Sequence, residues 1–300
     1  MPRNGKVSAA LALCCTVAGV ALAGCDEAPE ASPPPSTSAG ATNQAADSLT
    51  GTQKIQVEGH GVNVSCSGTR KGDRPVIILL LGAGDGLDKM AGLQRTLSEK
   101  DRVCSYDRLG AGASDQPAGP QTLDDTGKTL TAVIDRVAGD APVVLAGHSL
   151  GGLIAARYAP DHQDRVTGLV LMDATSPTQS ADLEAEIPAS ATGPAAELRA
   201  QTLTALQGEN PEKLVVPDAK VGSAGDIPVE VIQHGKQYLA ALPEYGPALE
   251  RTWAEGERKW LALSSQSTLT TAVNSEHYIY VDEPDVAVQA IQRVTTLTLS

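Results

Sequence analysis

Phenylalanine is absent from the 300 residues, and aromatic side chains make up only 3% of them. A core built from this chain must therefore be aliphatic, packed from branched side chains rather than rings. Basic residues are scarce as well: 23 Lys and Arg stand against 36 Asp and Glu, a net charge of −13. That balance excludes nucleic acid and the bare surface of an anionic membrane as principal partners. Metal-ligand spacing is also missing. The five cysteines form no Cys-x-x-Cys pair and no Cys/His cluster, so neither a metal nor another cofactor is expected. What remains is still enough for a large fold, because 41% of the residues are hydrophobic. The length allows one large domain or two small ones.

The first residues differ from the rest. Arg3 and Lys6 precede an uncharged apolar stretch from Val7 to Ala23, and Leu22-Ala23-Gly24-Cys25 follows. A charged start, an apolar run and small residues form a secretory signal over 1–24. The final four residues resemble the bacterial lipobox. That resemblance implies that Cys25 becomes the lipid-bearing first residue of the mature protein, anchoring it on the outer side of a bacterial membrane. Several acyl chains hold such an anchor firmly where one would be marginal. Residues 25–52 are rich in Pro, Ser, Ala and Thr, as in Ala31-Ser32-Pro33-Pro34-Pro35-Ser36, and bury almost nothing. They read as a disordered tether.

From about Gln53 onward, strand patterns alternate with helical ones, which predicts a largely parallel sheet covered by helices on both faces. Lys54–Glu58 and Val62–Cys66 read as an opening hairpin around Gly59-His60-Gly61. Val76–Leu81 is a continuous apolar strand of the kind buried on both faces. Helices are expected over Leu87–Leu97 and from Thr122 to Gly139, the second with Leu130, Val133, Ile134 and Val137 at helical spacing. Pro142–Ala146 reads as a buried strand and Leu150–Ala159 as a helix ended by Pro160. Between them lies Gly147-His148-Ser149-Leu150-Gly151, a Gly-x-Ser-x-Gly nucleophile elbow. Such a chain reverses in one strained turn that leaves the serine exposed, and the glycines are needed because a Cβ would crowd the turn. Further strands are expected over Gly168–Met172, Val229–Gln233 and Thr268–Val273, and a closing helix over Pro284–Val294.

Four motifs in order resemble the α/β-hydrolase family. They are Leu81-Gly82-Ala83-Gly84, the Asp107–Ser114 loop, the elbow, and Ser275-Glu276-His277 before the last helix. The resemblance runs from Gln53 to the C-terminus. It implies an α/β architecture with an eight-stranded, mostly parallel sheet and a helical cap inserted at about 174–226. It implies Ser149 as nucleophile and His277, in the loop after the last strand, as the base that takes and returns its proton. The oxyanion donors would be the backbone N–H groups of Leu150 and Ala83. The acid departs from the family pattern, because no carboxylate follows directly on the seventh strand. Asp173, after the sixth strand, occupies the family's alternative position; Glu244, Glu250 or no acid at all remain open. Asp107 and Arg108 are expected to pin their loop through local hydrogen bonds. The second and fourth strands are neighbours in this fold, which for an exported chain implies a Cys66–Cys104 disulfide.

The function that follows is an exported serine hydrolase acting on an ester or related acyl bond of a small molecule or lipid. An acyltransferase of the cell envelope would use the same residues with an alcohol in place of water. A hydrolase-fold binding protein with a decayed site is the reading from a different class.

Overall fold

A computed structural model describes residues 49–299. The expected signal segment, Cys25 and residues 26–48 of the tether lie outside the described residues.

The chain begins with a hairpin, β1 (Gly51–Val57) and β2 (His60–Ser67). Its turn is Glu58-Gly59, both at positive φ (49° and 85°), rather than Gly59-His60-Gly61. Two left-handed residues match the twist of the flanking strands, so the hairpin closes two residues earlier than glycine spacing suggested. Then follow β3 (Val76–Leu80), α1 (Ala91–Ser98), β4 (Val103–Tyr106), α2 (Leu123–Ala138), β5 (Val143–His148), α3 (Leu150–Tyr158) and β6 (Val166–Met172). The cap contributes α4 (Gln179–Glu186) and α5 (Pro194–Leu206). The chain closes with β7 (Val229–His234), α6 (Gly246–Lys259), β8 (Ser267–Ala272), the short α7 (Ile279–Asp282) and α8 (Pro284–Leu297). Leu87–Met90, expected as the start of α1, is a separate 3-10 turn. Helix α2 starts as its sequence predicts: the Thr122 hydroxyl accepts from Asp125 N–H while the Asp125 carboxylate accepts from Thr122 N–H.

The eight strands form one sheet in the order β1-β2-β4-β3-β5-β6-β7-β8. Strand β2 is antiparallel to both neighbours, and the other pairs are parallel. Alternation along β3 divides the core. Val76, Ile78 and Leu80 pack with α2 and α3 on one face, whereas Ile77, Leu79 and Leu81 pack with α1 and α8 on the other. In the absence of phenylalanine, aliphatic side chains fill both layers, and Trp260 and Tyr106 are among the largest that are fully buried. The cap has a small core of its own, in which Leu183, Ile187 and Ala195 meet Leu249 of α6. Lys259 of α6 ties down α4 through Asp182, at 2.7 Å. Among the described residues, no helix is long and apolar enough to cross a membrane.

Cys66 and Cys104 are directly opposed in the β2–β4 register and are joined by a disulfide. The bridge closes a loop across a sequence separation of 38. By loop-closure entropy it contributes at most about 4 kcal/mol. The double variant Cys66→Ser/Cys104→Ser is therefore expected to unfold at lower urea, losing about 2–4 kcal/mol. An unchanged urea midpoint would show that the bridge constrains nothing.

Candidate active site

Strand β5 delivers Ser149 at its carboxyl end, and α3 starts on the next residue. The serine sits at φ 51°, ψ −121°, a region that costs a non-glycine residue about 1–3 kcal/mol. Neighbouring backbone holds it there: Ser149 N–H donates to Met172 O at 3.1 Å, and Ser149 O accepts from Thr175 N–H at 3.1 Å. The two glycines are required for different reasons. A Cβ on Gly147 would lie 2.4 Å from Gly151 O, a collision within the elbow. A Cβ on Gly151 would lie 2.2 Å from Leu80 O, so the second glycine lets α3 press against β3.

His277 stands in the loop after β8. Its Nδ1 is 2.7 Å from Asp173 Oδ2, at the end of β6. Asp173 is fully buried and itself left-handed, at φ 46°. Burial alone would push its pKa up, but hydrogen bonds from His234 and His277 outweigh that and bring it down to about 2. Its other oxygen, Oδ1, accepts from His234 N–H at 3.1 Å, lies 2.8 Å from His234 Nδ1, and accepts from Trp253 Nε1 at 3.0 Å. Near it is Glu257, fully buried on α6, whose pKa burial and the Asp173 charge raise well above the ordinary carboxylate value. Glu250, an alternative acid on sequence grounds, contacts His234 and not His277. Glu244, the other alternative, sits in the turn before α6 at φ 68°.

His148 turns away from the serine. Its Nε2 is 3.0 Å from His277 O and its ring lies 4.5 Å from that of His277, so it fastens the His277 loop to the strand that carries Ser149. Burial, with His277 nearby, lowers its pKa to about 3, and it is neutral at ordinary pH. The other two histidines lie elsewhere: His60 opens β2, and His162 stacks on Tyr158.

Ser149 and Leu150 open onto a cavity of about 500 Å³ that also reaches Ala83 and Gly84. Its lining comes largely from the cap and is mostly apolar, with Leu183, Leu198, Leu206 and Leu214, although Asp182 and Glu212 also line it. Among the described residues, no group of three or more His, Cys, Asp or Glu side chains is arranged to hold a metal ion.

A family model described as alpha/beta hydrolase fold matches residues 75–201. Among solved structures, the enol-lactonase from Burkholderia xenovorans LB400 superposes with a TM-score of 0.57 at 20% identity, over 81% of this chain and 100% of that one. The fold is the α/β-hydrolase fold. Its sequence relatives include the uncharacterized protein YqjL of Bacillus subtilis, 26% identical over 228 residues that span 75% of this chain and 85% of YqjL. Lipase LipV of Mycobacterium tuberculosis is 30% identical over 185 residues, 58% of this chain and 63% of LipV.

The loop after β3 of this hydrolase fold is held from two sides. Arg108 is buried and donates to Leu81 O at 2.6 Å and to Gly82 O at 2.8 Å. It also forms a two-pronged ion pair with Glu212, at 2.7 and 2.8 Å. Glu212 in turn accepts from Gly84 N–H at 3.2 Å. Asp107 organises its own loop by accepting from Leu87 N–H, Ala113 N–H and Asn63 Nδ2. The expectation of local bonds covers only part of this: Asp107 reaches Ala113 in its own loop but also Leu87 and Asn63, 20 and 44 residues away, and the carboxylate partner of Arg108 lies 104 residues away in the cap insertion. Sequence reasoning also missed that His234 and Trp253 bond to Asp173, and that Glu250, named there as an alternative acid, pairs with His234 instead. The one available signal was that His234 ends the strand next to β6.

Proposed function

We propose that the protein is an exported serine hydrolase, held on the outer side of a bacterial membrane by lipid on Cys25, that cleaves an ester or related acyl bond. The observation that carries this reading is the 2.7 Å contact of His277 Nδ1 with the buried Asp173 carboxylate, beside the strained Ser149 turn. In that arrangement Asp173 fixes the tautomer that places the His277 proton on Nδ1, leaving Nε2 as the base. Ser149 Oγ gives its proton to Nε2 and attacks the acyl carbon. The N–H groups of Ala83 and Leu150, both at the serine end of the cavity, hold the oxyanion. Imidazolium returns the proton to the departing alcohol, and water then repeats the sequence on the acyl-enzyme.

The apolar cap end of the cavity favours an aliphatic acyl chain over a charged one. The names of the relatives, a lipase and a lactonase, agree with acyl-oxygen chemistry. Treatment of the full chain with a fluorophosphonate probe is expected to leave one adduct, mapping to Ser149, and to stop p-nitrophenyl butyrate turnover. Turnover that survives complete labelling would overturn the hydrolase reading. The anchor has its own readout: Cys25→Ala is expected to move the activity from the membrane fraction to the soluble one, and retention at the membrane would remove Cys25 from the proposal.

A further inference from the structure

Two histidines share Asp173, and the reaction proposed above uses only one of them. The second, His234 at the end of β7, is bracketed. Its Nδ1 lies 2.8 and 2.9 Å from the two Asp173 oxygens, and its Nε2 lies 2.9 Å from Glu250 Oε2. All three side chains are buried. A neutral imidazole has a single N–H and can satisfy only one of two carboxylates. The remaining Glu250 oxygen, Oε1, accepts from the backbone N–H groups of Leu239 and Ala240, at 2.6 and 3.2 Å, as an ionised carboxylate does. The array therefore asks for two ring protons.

We infer that His234 is an imidazolium clamped by Glu250, and that it acts as a positioning residue that offsets part of the Asp173 charge felt by His277. This inference rests on the triad reading above. Its chemistry is a balance between two neighbours of one carboxylate. With His234 charged, Asp173 remains ionised in a fully buried place yet attracts the proton on His277 less than a lone carboxylate would. The pKa of His234 agrees in direction: burial pulls it down, but Asp173 and Glu250 together raise it above the ordinary histidine value.

The groups facing these rings come from several elements. Asp173 ends β6, Glu250 and Trp253 come from α6, and the Tyr238 ring lies 4.9 Å from that of His234. Buried Glu257 adjoins Asp173, and burial together with the Asp173 charge raises its pKa well above the ordinary carboxylate value. His277 is faced in addition by neutral His148, by Tyr278 and, through space, by Asp85 of the loop after β3. No other cation among the described residues makes a hydrogen bond or ion pair to Asp173.

Three variants separate charge from contact. Asn at 234 can place an amide N–H where Nδ1 stood, so His234→Asn keeps the bond to Asp173 and removes the charge. Glu250→Gln leaves His234 in place but takes away the anion that keeps it doubly protonated. His234→Ala removes both. The acid limb of kcat/KM for p-nitrophenyl butyrate is expected to move up by about one pH unit in His234→Asn and in Glu250→Gln alike. In those two variants kcat on the plateau falls less than about tenfold, whereas His234→Ala lowers it further because Asp173 is no longer held. A second readout does not depend on turnover. In nitrogen NMR of the full chain both ring nitrogens of His234 are expected to be protonated at pH 7.5, with one proton lost in Glu250→Gln. An acid limb that stays in place, or a neutral His234 in the wild type, would overturn the inference. Turnover that persists in Ser149→Ala would instead indict the triad reading, and the NMR result would still decide the charge on His234.

Discussion

Ser149→Ala is expected to lower kcat for p-nitrophenyl butyrate by roughly 10⁴–10⁶-fold. The magnitude follows from what the side chain supplies. Without Oγ no acyl-enzyme forms, and the residual rate is what the oxyanion donors and the cavity achieve with water alone. KM should change little, because the cavity walls and the backbone N–H groups of Ala83 and Leu150 are untouched. Stability should change little, since the Ser149 hydroxyl makes no capping hydrogen bond and the strain at φ 51° is in the backbone and remains. Equal rates in the variant and the wild type would leave the chain as a binding protein on a hydrolase scaffold.

Asp173→Asn should cost about 10⁴-fold in kcat, through a different route. Four N–H contacts converge on this carboxylate, from His277, the ring and backbone of His234, and Trp253. An amide has one oxygen and one NH₂, so it must turn a donor toward either His277 or His234. If the donor faces His277, the imidazole flips tautomer and its proton occupies the nitrogen that should accept from Ser149. If it faces His234, a buried contact is lost without a replacement. The first arrangement lowers kcat with KM preserved, and the second adds a loss of stability readable in the urea midpoint. A rate equal to wild type would remove Asp173 from the triad.

Much of the site was legible from local pattern because local pattern is where its physics lies. Val143–Leu145 had to be a buried strand and Leu153–Ala156 a helix face, so the residue between them had to occupy the turn. Partners were harder, because they depend on register rather than on sequence spacing. Met172 pairs with Ile232 across β6 and β7, and Asp173 N–H donates to Ile232 O. That alignment brings the carboxylate beside His234, 61 residues away. Nothing in either segment alone announces the meeting. The same holds for Arg108 and Glu212, whose contact depends on how the cap folds back over the sheet. The early hairpin turn was misplaced for a smaller reason: Glu58 adopts a left-handed conformation that glycine positions did not signal.

Two tryptophans occur in the whole sequence, and they occupy opposite environments. Trp260 is completely enclosed by the core, while Trp253 lines the cavity and donates its indole hydrogen to Asp173. The protein thus carries its own optical pair, a constant emitter and one that responds to whatever fills the cavity. A ligand that enters will change the surroundings of one indole and leave the other as an internal standard, so occupancy can be followed by emission without any label.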